Sequence, residues 1–292
     1  MTDQQRERRF ELPGLTLAGA QCGPDDNAPQ VFALHGWLDN AGSFAPMAAH
    51  LDGISFLALD AAGHGFSGHR GPDGSYNLYQ EVSDVIHVAD ELEWERFVLV
   101  GHSRGANASV LIAGAFPERV AGVVLIEAGF PYTNTPEEGP AQLARAISDR
   151  RRLARMSGRV FPTREAAVEV RMKGLACVSR ESAEILARRS VVEVSGGYAW
   201  LADQRLKGAS DVRYTKAQVR VFLERMTMPV LYIQGADSEL SHARGYREAL
   251  APIPTLEVAE FPGGHHLHME ASVDAVAAAV QGFVERAWRK GA

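Results

Sequence analysis

The residues whose types and spacing best suit chemistry in this sequence are Gly101-His102-Ser103-Arg104-Gly105. They follow the apolar run 97–100 directly and open a helical stretch rich in small residues. A serine on a tight strand-to-helix turn projects its hydroxyl outward, and the helix N-terminus behind it stabilises negative charge. Glycine is needed on both sides because larger side chains would collide with neighbouring backbone. The pattern predicts a nucleophile at Ser103, whereas the alternative is an ordinary serine at a helix N-terminus.

The elements around this turn alternate between short apolar runs and helical segments. The apolar runs of the first half are 31–34, 55–59, 97–100 and 120–126, with helix-like spacing at 79–92 and 104–115. Near the end, runs at 229–233 and 255–261 are followed by helical stretches at 241–250 and 272–289. Continuous apolar strands alternating with helices predict a mostly parallel, doubly wound α/β sheet covered on both faces.

Residues 131–225 interrupt the alternation. They are rich in Ala, Arg and Glu, with apolar residues at helical spacing and no clear β run. We predict a helical cap inserted into one core domain made of residues 1–130 and 226–292, lying over the ligand-binding edge of the sheet. The glycines and aromatics at 196–200 could form a cap hinge or a pocket-facing loop, and the alternative is that they have no functional role.

Further motifs resemble those of the α/β-hydrolase superfamily. Residues 34–37 (LHGW) resemble its His-Gly oxyanion loop, residues 60–67 (DAAGHGFS) its D-x-x-G-x-G-x-S turn, and Gly263-Gly264-His265 with Glu270 its catalytic-histidine loop. The resemblance spans residues 31–283 apart from the cap, and the stretches 35–40 and 125–127 are most similar to serine hydrolase-like proteins. It implies that His265 accepts the proton of Ser103, with His266 as the alternative base.

The clustered histidines have other readings as well. His265, His266 and His268 could suggest a zinc site, but no carboxylate or cysteine set accompanies them at metal-ligand spacing, so we predict no metal and no cofactor. His102 is interpreted as a side chain packed beside the strand, and His268 as a packing or surface residue.

The sequence offers two candidates for the acid that orients the histidine. In much of the superfamily it lies three residues beyond a glycine after the strand that corresponds to 229–233, where this chain has Ser238, which supplies no negative charge. Glu127 ends the run 120–126, where relatives resembling haloalkane dehalogenases carry their acid. We predict Glu127 as the acid and keep Asp237 as the alternative.

The oxyanion of a tetrahedral intermediate needs two fixed donors. The first is the backbone N–H of Arg104, directly after the nucleophile. The resemblance places the second at the backbone N–H of Trp37. The Trp37 side chain is then either a wall of the acyl pocket or ordinary core packing.

Composition limits the other classes of function. The chain has 292 residues, 46% of them hydrophobic and 23% charged, with a formal net charge of −6 and two cysteines. These values predict a globular protein without a disulfide framework, a nucleic-acid partner or a membrane span. The first ten residues lack the apolar region of a signal peptide, so we expect a cytoplasmic protein.

Charge is distributed unevenly. Residues 131–228 contain 18 Lys and Arg against 11 Asp and Glu, whereas the remainder is acidic. A basic cap could attract an anionic substrate. The alternative is that these charges form pairs on solvated helix faces.

Together these features predict a serine hydrolase that cleaves a carboxylic ester, thioester or lactone of a small acyl substrate through an acyl-enzyme on Ser103. The same residues could serve carbon–carbon bond hydrolysis or perhydrolysis. A member of another class, a ligand-binding protein without catalysis, is favoured only by the displaced acid.

Overall fold

The computed structural model describes residues 5–25, 28–174 and 176–290, with backbone alone at 243 and 244. Its strands are β1 (Arg6–Leu12), β2 (Leu15–Cys22), β3 (Gln30–Leu34), β4 (Ser55–Asp60), β5 (Phe97–His102), β6 (Val120–Ile126), β7 (Val160–Phe161), β8 (Val191–Val194), β9 (Gly197–Trp200), β10 (Val230–Gly235) and β11 (Leu256–Phe261). Its α-helices are α1 (Ala45–Ala48), α2 (Leu78–Glu91), α3 (Arg104–Ala115), α4 (Gly139–Leu153), α5 (Arg164–Met172), α6 (Arg180–Ser190), α7 (Lys216–Glu224), α8 (Glu239–Arg244), α9 (Tyr246–Ala249) and α10 (Val273–Arg289).

The central sheet has eight strands in the order β1-β2-β4-β3-β5-β6-β10-β11. The strands from β4 to β11 in this order pair in parallel, and the first two add antiparallel pairs at one edge. This confirms the predicted α/β class with a mostly parallel sheet. His102 pairs with Ile126, and Ile126 with Ile233, so the residues that follow β5, β6 and β10 lie side by side at the carboxyl edge.

Helices cover both faces of this sheet, which is why its inner strands are apolar without alternation. On one face α2, α3 and α7 pack over a cluster that includes Phe32, Leu99 and Leu125. On the other face α1 and α10 pack over a second cluster. The buried residues of α10 recur every three or four positions, as in an amphipathic helix: Val276, Ala277, Val280, Phe283, Val284 and Ala287.

The segment 131–225 contains β structure, so the expectation of a wholly helical insertion was wrong. Strands β7, β9 and β8 form a small antiparallel sheet. Gly196 and Gly197 have φ of 88° and 142°, which lets the chain reverse tightly between β8 and β9. Residues 197–200 form β9 of this sheet, where Trp200 pairs in register with Val191 and its indole donates to the Ala167 carbonyl at 3.3 Å. These contacts favour a packing role over a hinge or a pocket-facing loop.

Buried polar contacts attach this segment to the core. Asn40 donates to the Leu186 carbonyl at 2.9 Å and to the Ser190 hydroxyl at 2.7 Å. Arg189 bridges two core carboxylates, with 2.7 Å to Asp60 and 2.7 Å to Glu7 of β1. Displacing the segment would break several of these hydrogen bonds at once and leave their donors and acceptors without partners. The contacts therefore hold the segment in place.

In the part of the chain that the structure describes, every helix is too short or too polar to cross a membrane.

Candidate active site

Ser103 occupies the turn between β5 and α3, as predicted. Its backbone has φ 51° and ψ −113°, a conformation that a non-glycine residue adopts only where the surroundings enforce it. The Ser103 N–H donates to the Ile126 carbonyl at 2.9 Å, which fastens the turn to the end of β6. The Ser103 side chain makes no capping hydrogen bond to α3, so the alternative reading of a helix-capping serine is not supported.

The flanking glycines are required by contact with backbone. A Cβ on Gly105 would lie 1.9 Å from the Leu34 carbonyl oxygen, and one on Gly101 would lie 2.5 Å from the Gly105 oxygen. Backbone atoms cannot move aside as a flexible side chain can. The turn is therefore available only to a sequence with glycine at both positions.

His265 lies in the loop after β11 and lines the same cavity as Ser103. Its Nδ1 is 3.1 Å from Glu127 Oε2. Its carbonyl accepts a hydrogen bond of 2.9 Å from His102 Nε2. The ring and the backbone of His265 are thus each held by a buried partner.

Glu127 reaches His265 from the end of β6. It is fully buried, has φ of 62°, and its N–H donates to the Ile233 carbonyl at 3.0 Å. The carboxylate accepts from the Gly235 N–H at 2.6 Å, from the Ser241 hydroxyl at 2.6 Å and from the Ser238 hydroxyl. Burial by itself would raise the pKa of Glu127, but these hydrogen bonds and the one from His265 outweigh it and hold the pKa below its ordinary value. The carboxylate is therefore charged at neutral pH.

Asp237 points elsewhere. It is exposed, and its carboxylate accepts from the Gly263 N–H at 3.1 Å, which braces the histidine loop from outside. Between the two candidate acids, the structure places Glu127 within hydrogen-bonding distance of His265. Ser238 stands where much of the superfamily has its acid, and it donates to Glu127 instead. Sequence reasoning noted this serine as a defect and missed that a hydroxyl there can hold a carboxylate from the next strand.

The residues that carry the two predicted oxyanion donors belong to the same cavity. Trp37 and Arg104 both line the cavity. The Gly36 carbonyl is engaged by His35 Nδ1 at 2.7 Å and by the Asp39 N–H at 3.2 Å, and in a trans peptide the Trp37 N–H points the opposite way. Within the described residues, neither the Trp37 N–H nor the Arg104 N–H donates to a protein acceptor.

The Trp37 side chain connects the 34–37 loop to the segment 131–225. It is 40% exposed, and its indole Nε1 donates to the Leu206 carbonyl at 2.8 Å. The side chain therefore forms part of the cavity wall and not of the closed core.

A second cluster of buried polar side chains, centred on Asp39, lies beside the pair of His265 and Glu127. His266 Nε2 is 3.1 Å from Asp39 Oδ2, and Arg171 of α5 reaches Asp39 Oδ1 at 2.8 Å. Asp39, His102 and His266 offer ligand atoms within 4.8 Å of one another, a geometry that could hold a metal ion. The Arg171 guanidinium, 3.3 Å from His266 Nε2, already supplies a cation there. Sequence reasoning did not find Arg171, because no local pattern distinguishes a residue that pairs with Asp39, 132 positions away.

His268 is buried among rings and has no hydrogen-bond partner for either nitrogen among the described residues. Burial lowers its pKa to about 3, and burial also lowers the pKa values of His64 and His102. A histidine whose folded pKa lies below the unfolded value takes up its proton mainly after unfolding, so stability is lost as pH falls below the unfolded pKa of about 6.5.

We therefore expect the free energy of unfolding to fall between about pH 7.5 and about pH 5.5, with His268 alone contributing about 1.4 kcal/mol of the loss. His268→Leu should reduce the loss by this amount, as measured by urea unfolding at both pH values. An unchanged loss in this variant would show that His268 is not held neutral by the fold.

The cavity that contains Ser103 and His265 has a volume of about 440 Å³, within the range typical of small-molecule sites. The runs 205–214 and 74–79 both line it, and they contact each other where the Asn77 amide donates to Asp211 at 3.3 Å. Glu127, Arg104 and Trp37 also line it. All of the predicted site residues except Asp237 thus meet at one cavity.

Comparison with known proteins agrees with this architecture. The family described as having an alpha/beta hydrolase fold matches residues 29–272. The Serine hydrolase-like protein of Danio rerio is 31% identical over 96% of this chain and 88% of its own length. The 2-(acetamidomethylene)succinate hydrolase of Mesorhizobium japonicum is 27% identical over 97% of both chains. The crystal structure of the hypothetical protein PA1622 from Pseudomonas aeruginosa PAO1 has a TM-score of 0.89 at 41% identity, covering 96% of this chain and 99% of that one. The chain belongs to the α/β-hydrolase superfamily, as a serine hydrolase-like member.

Proposed function

We propose that this protein hydrolyses a carboxylic ester, thioester or lactone through an acyl-enzyme on Ser103. The observation that carries the proposal is the combination of a strained, glycine-flanked serine with a histidine in the same cavity whose far nitrogen is paired with a buried carboxylate. These are the three groups that nucleophilic acyl transfer needs.

In this mechanism the Ser103 hydroxyl oxygen attacks the substrate carbonyl while His265 takes its proton. Glu127 fixes the ring so that Nε2 is the free base, and it stabilises the imidazolium that forms. The Trp37 and Arg104 N–H groups hold the oxyanion. As the intermediate collapses, His265 gives the proton to the leaving alcohol or thiol. Water then attacks the acyl-enzyme with His265 again as base, which releases the acid and restores Ser103.

The segment 131–225 is proposed as the cap of this site. It supplies the 205–214 wall and is joined to the oxyanion loop by the bond from Trp37 to Leu206. Residues of this segment would thus select substrates by their shape without taking part in the chemical steps. The hydrolase of Mesorhizobium japonicum is named for a substituted succinate, so substrate screening should include acids as well as neutral esters.

The non-catalytic alternative rested on the serine at position 238. Since Glu127 offers a carboxylate to His265 from β6, that argument loses its basis. Carbon–carbon bond hydrolysis and perhydrolysis use the same residues, and product analysis separates them from ester cleavage.

The test is labelling of the native protein with a fluorophosphonate, followed by peptide mapping. We expect the label on Ser103, and a labelling rate lowered about 10³-fold or more in His265→Ala because the serine loses its base. Ser210→Ala is the matched control, since Ser210 also lines the cavity and its hydroxyl is bonded to the Val212 carbonyl at 2.7 Å. A folded protein whose Ser103 stays unlabelled would contradict the proposal.

A further inference from the structure

The positively charged side chains of residues 131–225 fall into two sets. Those of the first set pair with acidic side chains along helix faces, as the alternative interpretation predicted. Arg152 lies 2.9 Å from Asp149, and Arg220 lies 2.7 Å from Glu224. Such exposed pairs contribute little and say nothing about a ligand.

Other cations line the active-site cavity, and they divide into two groups. Three of them have a carboxylate partner in hydrogen-bond contact: Arg104 with Glu81, Arg171 with Asp39, and Arg205 with Asp203. The other three are Arg150, Lys207 and Arg213.

The second group is poorly compensated. Lys207 is exposed and donates to the neutral Gln204 side chain at 2.8 Å. Arg213 is also exposed, and it contacts the Asn134 amide oxygen at 3.2 Å. In the described part of the chain, neither forms an ion pair with an acidic side chain. Arg150 has Asp211 at 3.9 Å, a distance at which the pair is weak.

The acidic groups of the cavity do not offset these charges. Glu127 is committed to His265, and Asp39 to Arg171 and His266. Asp211 remains, and it also accepts from the Asn77 amide at 3.3 Å. Arg150, Lys207 and Arg213 thus face the cavity with a single carboxylate, Asp211, between them, and a ligand anion would complete the balance.

The same cavity exposes large apolar side chains. The exposed fractions are 40% for Trp37, 61% for Tyr79, 55% for Tyr132, 45% for Val212 and 40% for Leu240, and all five line the cavity. Apolar surface gathered at one place marks a binding site more often than scattered exposure does. Val212 and Arg213 are neighbours in the chain, so apolar and cationic groups share one wall.

We propose that the substrate of this site is an amphiphilic acyl compound that carries an anionic group, a carboxylate or a phosphate, away from the bond that is cleaved. Its anionic group binds at Lys207 and Arg213, and its apolar part lies against the aromatic and aliphatic wall. This specificity rests on the proposed acyl transfer at Ser103. It makes Lys207 and Arg213 specificity-determining residues that take no part in the chemistry.

The turnover experiment compares matched substrates. For carboxylate, the pair is the p-nitrophenyl half-ester of adipic acid and its methyl-capped diester. For phosphate, the pair is butyryl-coenzyme A and butyryl-N-acetylcysteamine. We expect kcat/KM at low salt to be about tenfold higher for one anionic member than for its neutral match, and the advantage to shrink as salt rises.

The variant for this test is Lys207→Met with Arg213→Gln. We expect it to lower kcat/KM for the preferred anionic substrate about tenfold, mainly through KM, and to change the neutral one less than about twofold. Arg220→Gln, which removes one charge from α7 outside the cavity, should change neither. Equal losses on both members of each pair, or no anionic preference in the unaltered protein, would overturn the proposal.

A binding measurement separates this inference from the proposed function. Calorimetry on Ser103→Ala uses the anionic amide N-butyl adipamate and its neutral methyl ester, together with coenzyme A and N-acetylcysteamine. Tighter binding of an anionic member, lost in the double variant, supports the anion site even if no substrate is turned over, an outcome in which only the proposed function fails. Turnover of neutral esters without any anionic preference in binding or kinetics would leave the proposed function standing and remove the anion site.

Discussion

Replacing Glu127 by glutamine should lower kcat about 10⁴-fold while the protein stays folded. The side chain keeps its size, but the neutral amide no longer stabilises the imidazolium of His265. It also brings N–H donors to a place where His265, Ser238 and Ser241 all need an acceptor. The ring of His265 is then free to hold its proton on the wrong nitrogen. The measurement is turnover of any ester or thioester that the unaltered protein cleaves, with circular dichroism to verify the fold.

Asp237→Asn is the matched control for this prediction. Among the contacts described, the Asp237 carboxylate accepts only from the Gly263 N–H, and an asparagine oxygen can accept the same bond. We expect kcat to change less than about threefold, since the surface loop keeps its hydrogen bond. If Asp237→Asn were the variant that lost activity and Glu127→Gln were active, the acid would have been assigned to the wrong residue.

Gly105→Ala should reduce the free energy of unfolding by about 3 kcal/mol or more. The new Cβ would stand 1.9 Å from the Leu34 oxygen and 2.9 Å from the His35 oxygen, so β3 and α3 must separate. Because Leu34 leads into the oxyanion loop, the protein that still folds should also label more slowly with a fluorophosphonate. Urea unfolding and labelling rates measure the two effects.

The control for this second prediction is Gly139→Ala at the start of α4. A Cβ there meets nothing within 4 Å, and the backbone is already helical with φ −52°. We expect a change of less than about 1 kcal/mol, in the stabilising direction, because alanine favours a helix more than glycine does. Similar losses in both variants would mean that the contact with Leu34 is not what makes glycine necessary.

The sheet and the nucleophile turn were predictable because their signals are local. The strand 97–100, the glycines beside Ser103 and the helix Arg104–Ala115 appear in one continuous stretch, and the structure has them where they were expected. Glu127 was preferred over Asp237 from its place at the end of a strand beside the nucleophile strand, and the sheet order puts β6 in that position.

What the sequence did not reveal depends on contacts between distant parts of the chain. Strands β8 and β9 have four residues each, too few to distinguish β from helical spacing. They are defined only by their hydrogen-bonded pairing with each other and by the pairing of β9 with β7. The expected helix at 241–250 is two helices, broken at Gly245 with φ 58°. The pairing of Arg171 with Asp39, and of Ser238 with Glu127, joins residues more than 100 positions apart and leaves no local pattern.

The position of the acid also affects how related chains are sorted into enzymes and pseudoenzymes. The carboxylate of Glu127 and the hydroxyl of Ser238 meet at one point, although they come from neighbouring strands. A survey that counts a homologue as active only when it has an aspartate after the strand equivalent to β10 would place this chain among the inactive ones. Yet its histidine has a buried carboxylate partner. Surveys of this superfamily should therefore ask whether either strand end brings a carboxylate to the histidine, and not which column of an alignment holds it.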